Sequence, residues 1–220
     1  MHRKKRITLS TKAEIEEIKK LFIEHYPDSV TELRYSTLYE LLVCVMLSAQ
    51  CTDKRVNLIT PALFERYPDI GSMAKADVDD IREIIKSCSF FNNKAKNLIA
   101  MSQMVISEYD GEIPLDRDEL IKLPGVGQKT ANVVMIEYAG ANYMAVDTHV
   151  FRVAHRLGLS DASTVKQTED DLVHRFETDL NRLHQAMVLF GRYICKAVKP
   201  ECEKCFLSKY CKSKESFSAK

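Results

Sequence analysis

The segment LPGVGQKTANVV, residues 123–134, decides the fold prediction. It lies between two stretches of helical periodicity, and Pro124 ends the first of them because proline removes a backbone donor. Gly125 and Gly127 permit positive φ angles and the close approach of a ligand. We therefore predict two helices joined by a tight glycine turn, a helical hairpin over about residues 116–138.

The start of the second hairpin helix carries N–H groups that suit an anion, above all a backbone phosphate of DNA. An ordinary helix–helix turn stays open for the glycine pair alone. A nucleotide-binding P-loop is disfavoured, because Gln128 separates glycine from lysine and the motif follows a helix instead of a strand. We predict that DNA contacts come from the hairpin residues Gly125, Val126, Gly127 and Thr130.

Helical periodicity extends along the remaining chain, and no two-residue alternation interrupts it. Ile15, Ile18 and Phe22 form one amphipathic stripe, while Thr37 and Asp116 read as helix caps. The sequence predicts an all-α protein. Beyond the N-terminal stripe and the hairpin's first helix, helices are predicted over residues 38–49, 52–67 with a bend at Pro61, 77–86, 94–109, 128–138, 149–157, 165–176 and 183–194.

Charge and hydropathy restrict the possible classes of protein. The chain has 220 residues, 45% of them hydrophobic, with 32 Lys and Arg against 31 Asp and Glu. The net charge of +1 argues against a uniformly basic protein, but residues 190–220 hold eight basic and three acidic side chains. The longest apolar run, Leu41–Leu47, is too short for a bilayer, and the start lacks a signal-peptide core. We expect a cytoplasmic protein that binds no membrane.

Four of the seven cysteines crowd near the C-terminus, at spacings of six, two and five intervening residues. Coincidental thiols at this density are disfavoured, and thiolates favour zinc or iron–sulfur. Zinc sites commonly pair two C-x-x-C units, whereas this set has one, so a [4Fe–4S] cluster is preferred over zinc. The candidate ligands are Cys195, Cys202, Cys205 and Cys211. Cys44 and Cys88 are expected in the core, and Cys51 partly exposed.

Lys129 lies in the first turn of the second hairpin helix. The positive end of the helix dipole, together with expected burial, favours a neutral amine there. Such an amine could attack a deoxyribose C1′ as a Schiff-base nucleophile. A plain phosphate-binding lysine is the alternative.

Asp147 precedes another predicted helix within VDTHV, residues 146–150. Capping that helix is its simplest role. A sharper role is to stabilise positive charge on a sugar or to assist proton transfer. His149 could contact phosphate or serve a structural purpose.

Taken together, four motifs resemble the endonuclease III family, the bifunctional DNA glycosylases of the helix-hairpin-helix-GPD superfamily. They are LPGVGQKTANVV, VDTHVFRV at 146–153, LSAQCTD at 47–53 and the C-x6-C-x2-C-x5-C tail. The resemblance runs from about Ile15 to Cys211. It implies a two-domain all-α fold, with a six-helix domain over residues 30–140 and an iron–sulfur domain built from 1–29 and 141–220.

The resemblance also implies a reaction on double-stranded DNA that contains a damaged base or an abasic site. Lys129 would displace an oxidised pyrimidine of the thymine-glycol type, with the base flipped out, and form an imine. β-Elimination would then cut the strand 3′ to the abasic site. Asp147 matches the essential aspartate of the family, and the four tail cysteines match its [4Fe–4S] ligands.

Further DNA contacts are implied at the cluster loop and at two turns. Lys196 and Lys199 match the phosphate-binding loop of the cluster, and Gln50 matches the residue that fills the gap left by the flipped nucleotide. The chain departs from the family's usual Gly-Leu-Tyr-like turn with Ser-Phe-Phe at 89–91. Phe90 is therefore expected to be the wedge beside the orphaned base, and helix packing is the alternative for Phe90 or Phe91.

Two other functions are considered. A monofunctional mismatch glycosylase of the same superfamily would lack the lysine at position 129. A non-catalytic DNA-binding redox sensor would need neither Lys129 nor Asp147. We therefore expect a monomeric repair enzyme, a DNA glycosylase and abasic-site lyase, that is associated with the bacterial nucleoid through DNA.

Overall fold

A computed structural model describes residues 8–214 and confirms the all-α prediction, with no strand in that range. This part of the chain forms eleven α-helices and one 3-10 turn, Cys202–Lys204. The helices are α1 Lys12–His25, α2 Leu38–Ser48, α3 Asp53–Arg66, α4 Ile70–Ala74, α5 Val78–Ile85, α6 Phe91–Glu108, α7 Arg117–Leu120, α8 Gln128–Ala139, α9 Thr148–Arg156, α10 Val165–Phe176 and α11 Leu180–Tyr193.

The chain divides into two compact units. The first, which we call the continuous unit, is Thr31–Gly140 and holds α2–α8. The second, the terminal unit, combines the chain up to Val30 with the chain from Ala141 onward, and holds α1 and α9–α11. Val30 thus belongs to the terminal unit, and the predicted division at 30–140 differs from this one by a single residue.

In the continuous unit, α2 is the central helix because it is apolar on almost every side. Its residues Leu41–Leu47 are all buried. Helices α3, α6 and α8 pack against it, while α4 and α5 pack against α6. The Thr37 hydroxyl caps α2 by accepting from the Glu40 N–H at 3.1 Å. The hairpin helix α8 is therefore anchored on the main core of this unit.

The terminal unit is assembled from both ends of the chain. Helix α1 packs on α10 and α11, and α9 packs on α11. The Phe22 ring lies 5.4 Å from that of Phe190, which lies 5.2 Å from that of Phe206. Ser10 adds a buried hydrogen bond from Oγ to the Leu157 carbonyl at 2.7 Å. The N-terminal segment is thus part of the core around α11.

Helix ends differ from the sequence predictions where turn geometry decides them. Helix α6 begins at Phe91, three residues early, because Phe90 adopts a left-handed conformation with φ +56°. Helix α11 likewise begins three residues early, after a left-handed Asp179. The short α4 was not predicted, and α3 continues through Pro61 to Arg66. No helix of residues 8–214 has the length and apolar character needed to span a bilayer.

Candidate functional site

The glycine turn between α7 and α8 depends on its first glycine for backbone geometry. Gly125 has φ +80°, and a Cβ there would lie 2.8 Å from the Asn97 Cβ. The next residue, Val126, is buried and donates its N–H to the Leu123 carbonyl at 3.0 Å. The buried residues Leu123 and Val126 therefore anchor the turn in the core of the continuous unit. Only glycine fits at position 125.

The second glycine leaves the start of α8 unobstructed. Gly127 has φ −93°, so it does not use the positive φ that glycine permits. A Cβ there would meet no atom within 4 Å. Gly127 is exposed, is the N-cap of α8 and supplies no side-chain capping bond. The helix start is thus open to an approaching group, with half-buried Thr130 one turn along.

Lys129 lies in the first turn of α8, as predicted, but it is exposed. The expected burial of this side chain is wrong. The helix dipole remains, since α8 has twelve residues and its positive end lies at Gly127. Lys129 therefore presents its amine to solvent at the mouth of the glycine turn, where a bound molecule could cover it.

Two further turns of the continuous unit present the residues predicted to enter DNA. Gln50 has φ +55° and is exposed, and Phe90 has φ +56° and is 62% exposed. Phe91 is only half-buried and opens α6. Left-handed backbone is costly for such residues and concentrates at functional sites. The exposure of the two rings favours Phe90 over Phe91 as the wedge.

Lys94 joins these two turns and was missed by sequence reasoning. Its Nζ donates to the carbonyls of Leu47 and Ala49, at 2.7 Å each, and the side chain is buried. Burial lowers the pKa of this ammonium group. The lysine of α6 thereby caps the C-terminal end of α2, just before the Gln50 turn. The sequence feature that could have revealed Lys94 is a lysine on a largely apolar face of α6.

In the terminal unit, Asp147 caps α9. Its Oδ1 accepts from the N–H groups of His149 and Val150, both at 2.8 Å. The capping role predicted from sequence is therefore confirmed. Neither of these two bonds uses Oδ2, and the side chain is half-buried. One carboxylate oxygen therefore caps the helix, and the other takes no part in the cap.

His149 is held by its neighbours. Its Nδ1 accepts from Arg152 Nη2 at 3.2 Å, and a Cβ on Gly191 would lie 2.9 Å from the His149 Cβ. The ring is half-buried. This arrangement favours the structural role for His149 and leaves the phosphate contact as a prediction.

The four tail cysteines line one small pocket, together with Arg156. Burial raises the pKa of the Cys205 thiol to about 11, and the nearby thiols of Cys195, Cys211 and Cys202 add to this. No three His, Cys, Asp or Glu side chains of residues 8–214 are gathered tightly enough for a single metal ion.

Hydrogen bonds to these thiols fit an iron–sulfur cluster. The backbone N–H groups of Leu207 and Ser213 act to lower the pKa of the Cys205 and Cys211 thiols, against the burial that raises the pKa of both. Arg156 Nη1 donates to the Cys195 Sγ at 3.2 Å. Donors of this kind stabilise negative sulfur and tune clusters. The donor set therefore fits a [4Fe–4S] cluster.

Two arginines of α9 hold the cluster loop and were not predicted. Arg152 donates to the carbonyls of Gly191 at 2.7 Å and Cys195 at 2.9 Å, and burial lowers its pKa. Arg156 donates to the Lys196 carbonyl at 2.7 Å. The i, i+4 spacing of the pair on one helix face, directly after the Asp147 cap, was the signal that could have revealed them.

The predicted phosphate-binding lysines of the cluster loop differ in their surroundings. Lys196 pairs with Glu201 Oε1 at 2.5 Å. Hydrogen bonds from Lys196 and Lys204 lower the pKa of Glu201 to about 2. Lys199 is exposed and has φ +50°. Lys199 is thus the lysine of this loop that points outward, whereas Lys196 is partly engaged inside it.

Comparison with known proteins gives two family matches. The model described as "HhH-GPD superfamily base excision DNA repair protein" matches residues 43–178. The model described as "Iron-sulfur binding domain of endonuclease III" matches residues 195–211, the stretch that holds the four cysteines.

Curated relatives and solved structures agree with these matches. The chain is 46% identical over 198 residues to endonuclease III of Rickettsia felis, covering 90% of this chain and 93% of that protein. It is 42% identical over 209 residues to endonuclease III of a Synechocystis species, covering 94% and 95%. A solved trapped endonuclease III–DNA covalent intermediate matches with a TM-score of 0.89 at 40% identity, covering 94% of this chain and 99% of that one.

Proposed function

This chain belongs to the endonuclease III family of the HhH-GPD superfamily, and from that premise we propose how its residues excise oxidised pyrimidines from double-stranded DNA. The enzyme acts in base excision DNA repair as a bifunctional DNA glycosylase and abasic-site lyase. It carries a [4Fe–4S] cluster. The lesion class, of the thymine-glycol type, and the roles of individual residues are our proposal.

The lysine chemistry is the centre of the proposal. The Lys129 Nζ, as a neutral amine, attacks C1′ of the damaged nucleotide, and the bond from C1′ to the base breaks as the base departs. Loss of a proton from Nζ and opening of the sugar give an imine. Removal of a C2′ proton then expels the 3′ phosphate by β-elimination. The observation that carries this role is the exposed amine at the open, dipole-positive start of α8.

Asp147 is proposed as the charged partner of this reaction. Its Oδ1 is held by two backbone N–H groups, so the carboxylate is fixed without help from substrate. The remaining Oδ2 can stabilise positive charge that develops on the sugar of the bound nucleotide. A single residue thus combines helix capping with electrostatic catalysis.

DNA contacts are proposed at the exposed features already described. The hairpin offers backbone N–H groups and an unobstructed Gly127 to a phosphate, with Gly125, Val126 and Thr130 shaping the turn. Gln50 fills the space of the flipped nucleotide and Phe90 wedges beside the orphaned base. Phosphate contacts on the other unit are proposed for Lys199, Lys196 and His149.

The cluster ligands are proposed to be Cys195, Cys202, Cys205 and Cys211. When bound, the cluster supplies a rigid crosslink that shapes the loop carrying Lys196 and Lys199. Arg156 supports this loop through the Cys195 sulfur and the Lys196 carbonyl. We further propose that the enzyme is a monomer, located in the cytoplasm at the nucleoid.

Borohydride trapping on lesion-containing duplexes tests the proposal. Wild-type enzyme should form a covalent complex with thymine-glycol DNA, and Lys129→Ala should abolish both trapping and strand cleavage. Lys122→Ala is the matched control, since that exposed lysine lies in the same hairpin and pairs with Glu119 at 2.6 Å. Trapping that persists in Lys129→Ala would remove the nucleophile assignment.

The same assay separates the alternative functions. A monofunctional glycosylase would release the base without trapping or strand cleavage, and a non-catalytic DNA-binding redox sensor would do neither. A lesion panel with abasic, oxidised-pyrimidine and mismatched duplexes then defines the substrate class. Preference for a mismatch over oxidised pyrimidines would overturn the proposed lesion.

A further inference from the structure

Two cysteines that lie far apart in the sequence meet in the continuous unit. Cys51 and Cys88 are 37 positions apart, and their Sγ atoms lie 3.2 Å from each other. Cys88 is buried and Cys51 is half-buried, so one thiol of the pair is reachable from solvent. Neither belongs to the set of four cysteines around the cluster cavity.

The pair joins the two turns that present Gln50 and Phe90. Cys51 directly follows the left-handed Gln50, and Cys88 precedes the left-handed Phe90 by two residues. Lys94 already links the same regions through its hydrogen bonds to the end of α2. The sulfur contact therefore bridges two strained and exposed turns.

Burial and the neighbouring cations shift the pKa of Cys88 in opposite directions. Burial raises the pKa of Cys88 to about 12, and the hydrogen bond from Cys51 contributes to the increase. The cationic groups of Lys94 and Arg55 act in the opposite direction. Half-exposed Cys51 is therefore the thiol that an external oxidant meets first.

We propose that Cys51 and Cys88 are a redox-active pair, whose reversible disulfide ties the Gln50 and Phe90 turns together and slows DNA repair by this enzyme. The effect on repair rests on the function proposed above. The oxidant is a low-molecular-weight disulfide of the glutathione type.

The exchange proceeds in two balanced steps. The Cys51 thiolate attacks one sulfur of the oxidant, forming a mixed disulfide and releasing one thiolate of the oxidant. Cys88 then loses its proton to solvent, and its sulfur attacks the Cys51 Sγ and expels the second thiolate. Two protein thiols are oxidised and one external disulfide is reduced to two thiols.

The disulfide slows the enzyme because it changes how the turns can move. A disulfide bond measures about 2.05 Å, so the sulfur atoms must approach by about 1 Å and then stay fixed. Displacements of that size at substrate-positioning groups cost up to about 100-fold in rate. We expect the oxidised enzyme to excise an oxidised pyrimidine at least about tenfold more slowly, with full recovery after reduction.

Peptide mapping of the cluster-loaded enzyme tests bond formation without reference to activity. After anaerobic incubation with oxidised glutathione, mass spectrometry should find one peptide pair joined through Cys51 and Cys88, and dithiothreitol should separate it. The visible absorption of the cluster is followed in parallel and should not change. If the linked pair does not appear, the redox-active pair is ruled out, whatever the enzyme's substrate.

Rate measurements on the same samples test the consequence. Cys51→Ala and Cys88→Ala should each keep their rate after oxidised glutathione, whereas wild type slows. Cys44→Ala is the matched control, because Cys44 is a buried thiol in the same unit, and it should slow like wild type. A linked but fully active wild-type enzyme would overturn the inhibitory role. Equal slowing of Cys88→Ala and wild type would also overturn it.

Discussion

The starts of α8 and α9 carry the two proposed catalytic side chains and are built in opposite ways. The N-cap residue of α8 is Gly127, which has no side chain, so nothing from the cap residue covers the first turn. The N-cap residue of α9 is Asp147, whose Oδ1 accepts two N–H groups at 2.8 Å. One helix start is left open and the other is closed by its own carboxylate.

This difference shows how one structural element serves two purposes. An open start presents partial positive charge to an incoming anion and holds Lys129 beside it. A capped start uses that same positive end to hold an aspartate in place, so that its second oxygen is fixed before substrate arrives. Substitutions at these two helix starts and in the hairpin test this contrast.

The substitution Asp147→Asn should keep the helix cap of α9 and remove the negative charge. The asparagine oxygen can still accept the two N–H groups, so the unfolding free energy should change by less than about 1 kcal/mol. The loss of the carboxylate should slow base excision by about 100-fold or more. Single-turnover kinetics and urea unfolding measure the two quantities. Full excision by the Asn variant would reduce Asp147 to a cap.

Gly125→Ala should damage the fold of the hairpin. The new Cβ meets the Asn97 Cβ at 2.8 Å, and φ is +80°. We expect a loss of about 1–3 kcal/mol in unfolding free energy. Gly111→Ala is the control, because φ is +83° there and a Cβ meets nothing within 4 Å. Equal losses in the two variants would show that backbone strain acts alone, without the steric contact.

Gly127→Ala should leave the fold nearly unchanged and weaken DNA binding. No atom lies within 4 Å of the new Cβ, and φ is −93°, so the loss should stay at about 0.5–1 kcal/mol, the preference for glycine over alanine at an N-cap. The methyl group stands where a phosphate would approach, and affinity should fall by about tenfold. Fluorescence anisotropy with a duplex measures this. Unchanged affinity would mean that DNA does not bind at the open start of α8.

Lys122→Gln should produce the smallest effect, a change in the pKa of Glu119 in α7, the first helix of the hairpin. Hydrogen bonds from Lys122 and Tyr109 lower the pKa of Glu119, and removing the lysine should raise it again. Ionised Glu119 stabilises the folded state at pH values above the pKa that this carboxyl has in the unfolded chain. The stabilisation is lost as the pH falls through the lowered pKa of the folded state. NMR titration of the Glu119 carboxyl follows both forms. Identical titration curves would remove Lys122 as the cause.

Most of the helix pattern and the candidate site could be predicted because their signals are local. The Asp147 cap and the glycine turn each lie within a few residues, and the four cysteines lie within 17 positions. The short α4 was missed because five residues carry too little periodicity. The exposure of Lys129 depends on what surrounds α8, which no local pattern contains.

Contacts over long sequence separations were beyond sequence reasoning. The pairing of Cys51 with Cys88 depends on how α2 and α6 pack, and single cysteines on apolar faces look like ordinary core residues. The same holds for Arg152 and Arg156, whose partners lie about 40 positions away. Side chains that join distant segments have no periodic signature.

The discontinuous terminal unit has a consequence for synthesis on the ribosome. Thr31–Gly140 is complete as soon as it emerges, whereas α1 must wait for α11 and the cysteine loop before Ile15, Ile18 and Phe22 can be buried. Assembly of the terminal unit therefore waits until α11 and the loop with the cluster ligands have been translated. A product truncated after Gly140 would contain the continuous unit and an α1 whose apolar side chains are uncovered, and protein quality control can recognise such exposed apolar surface.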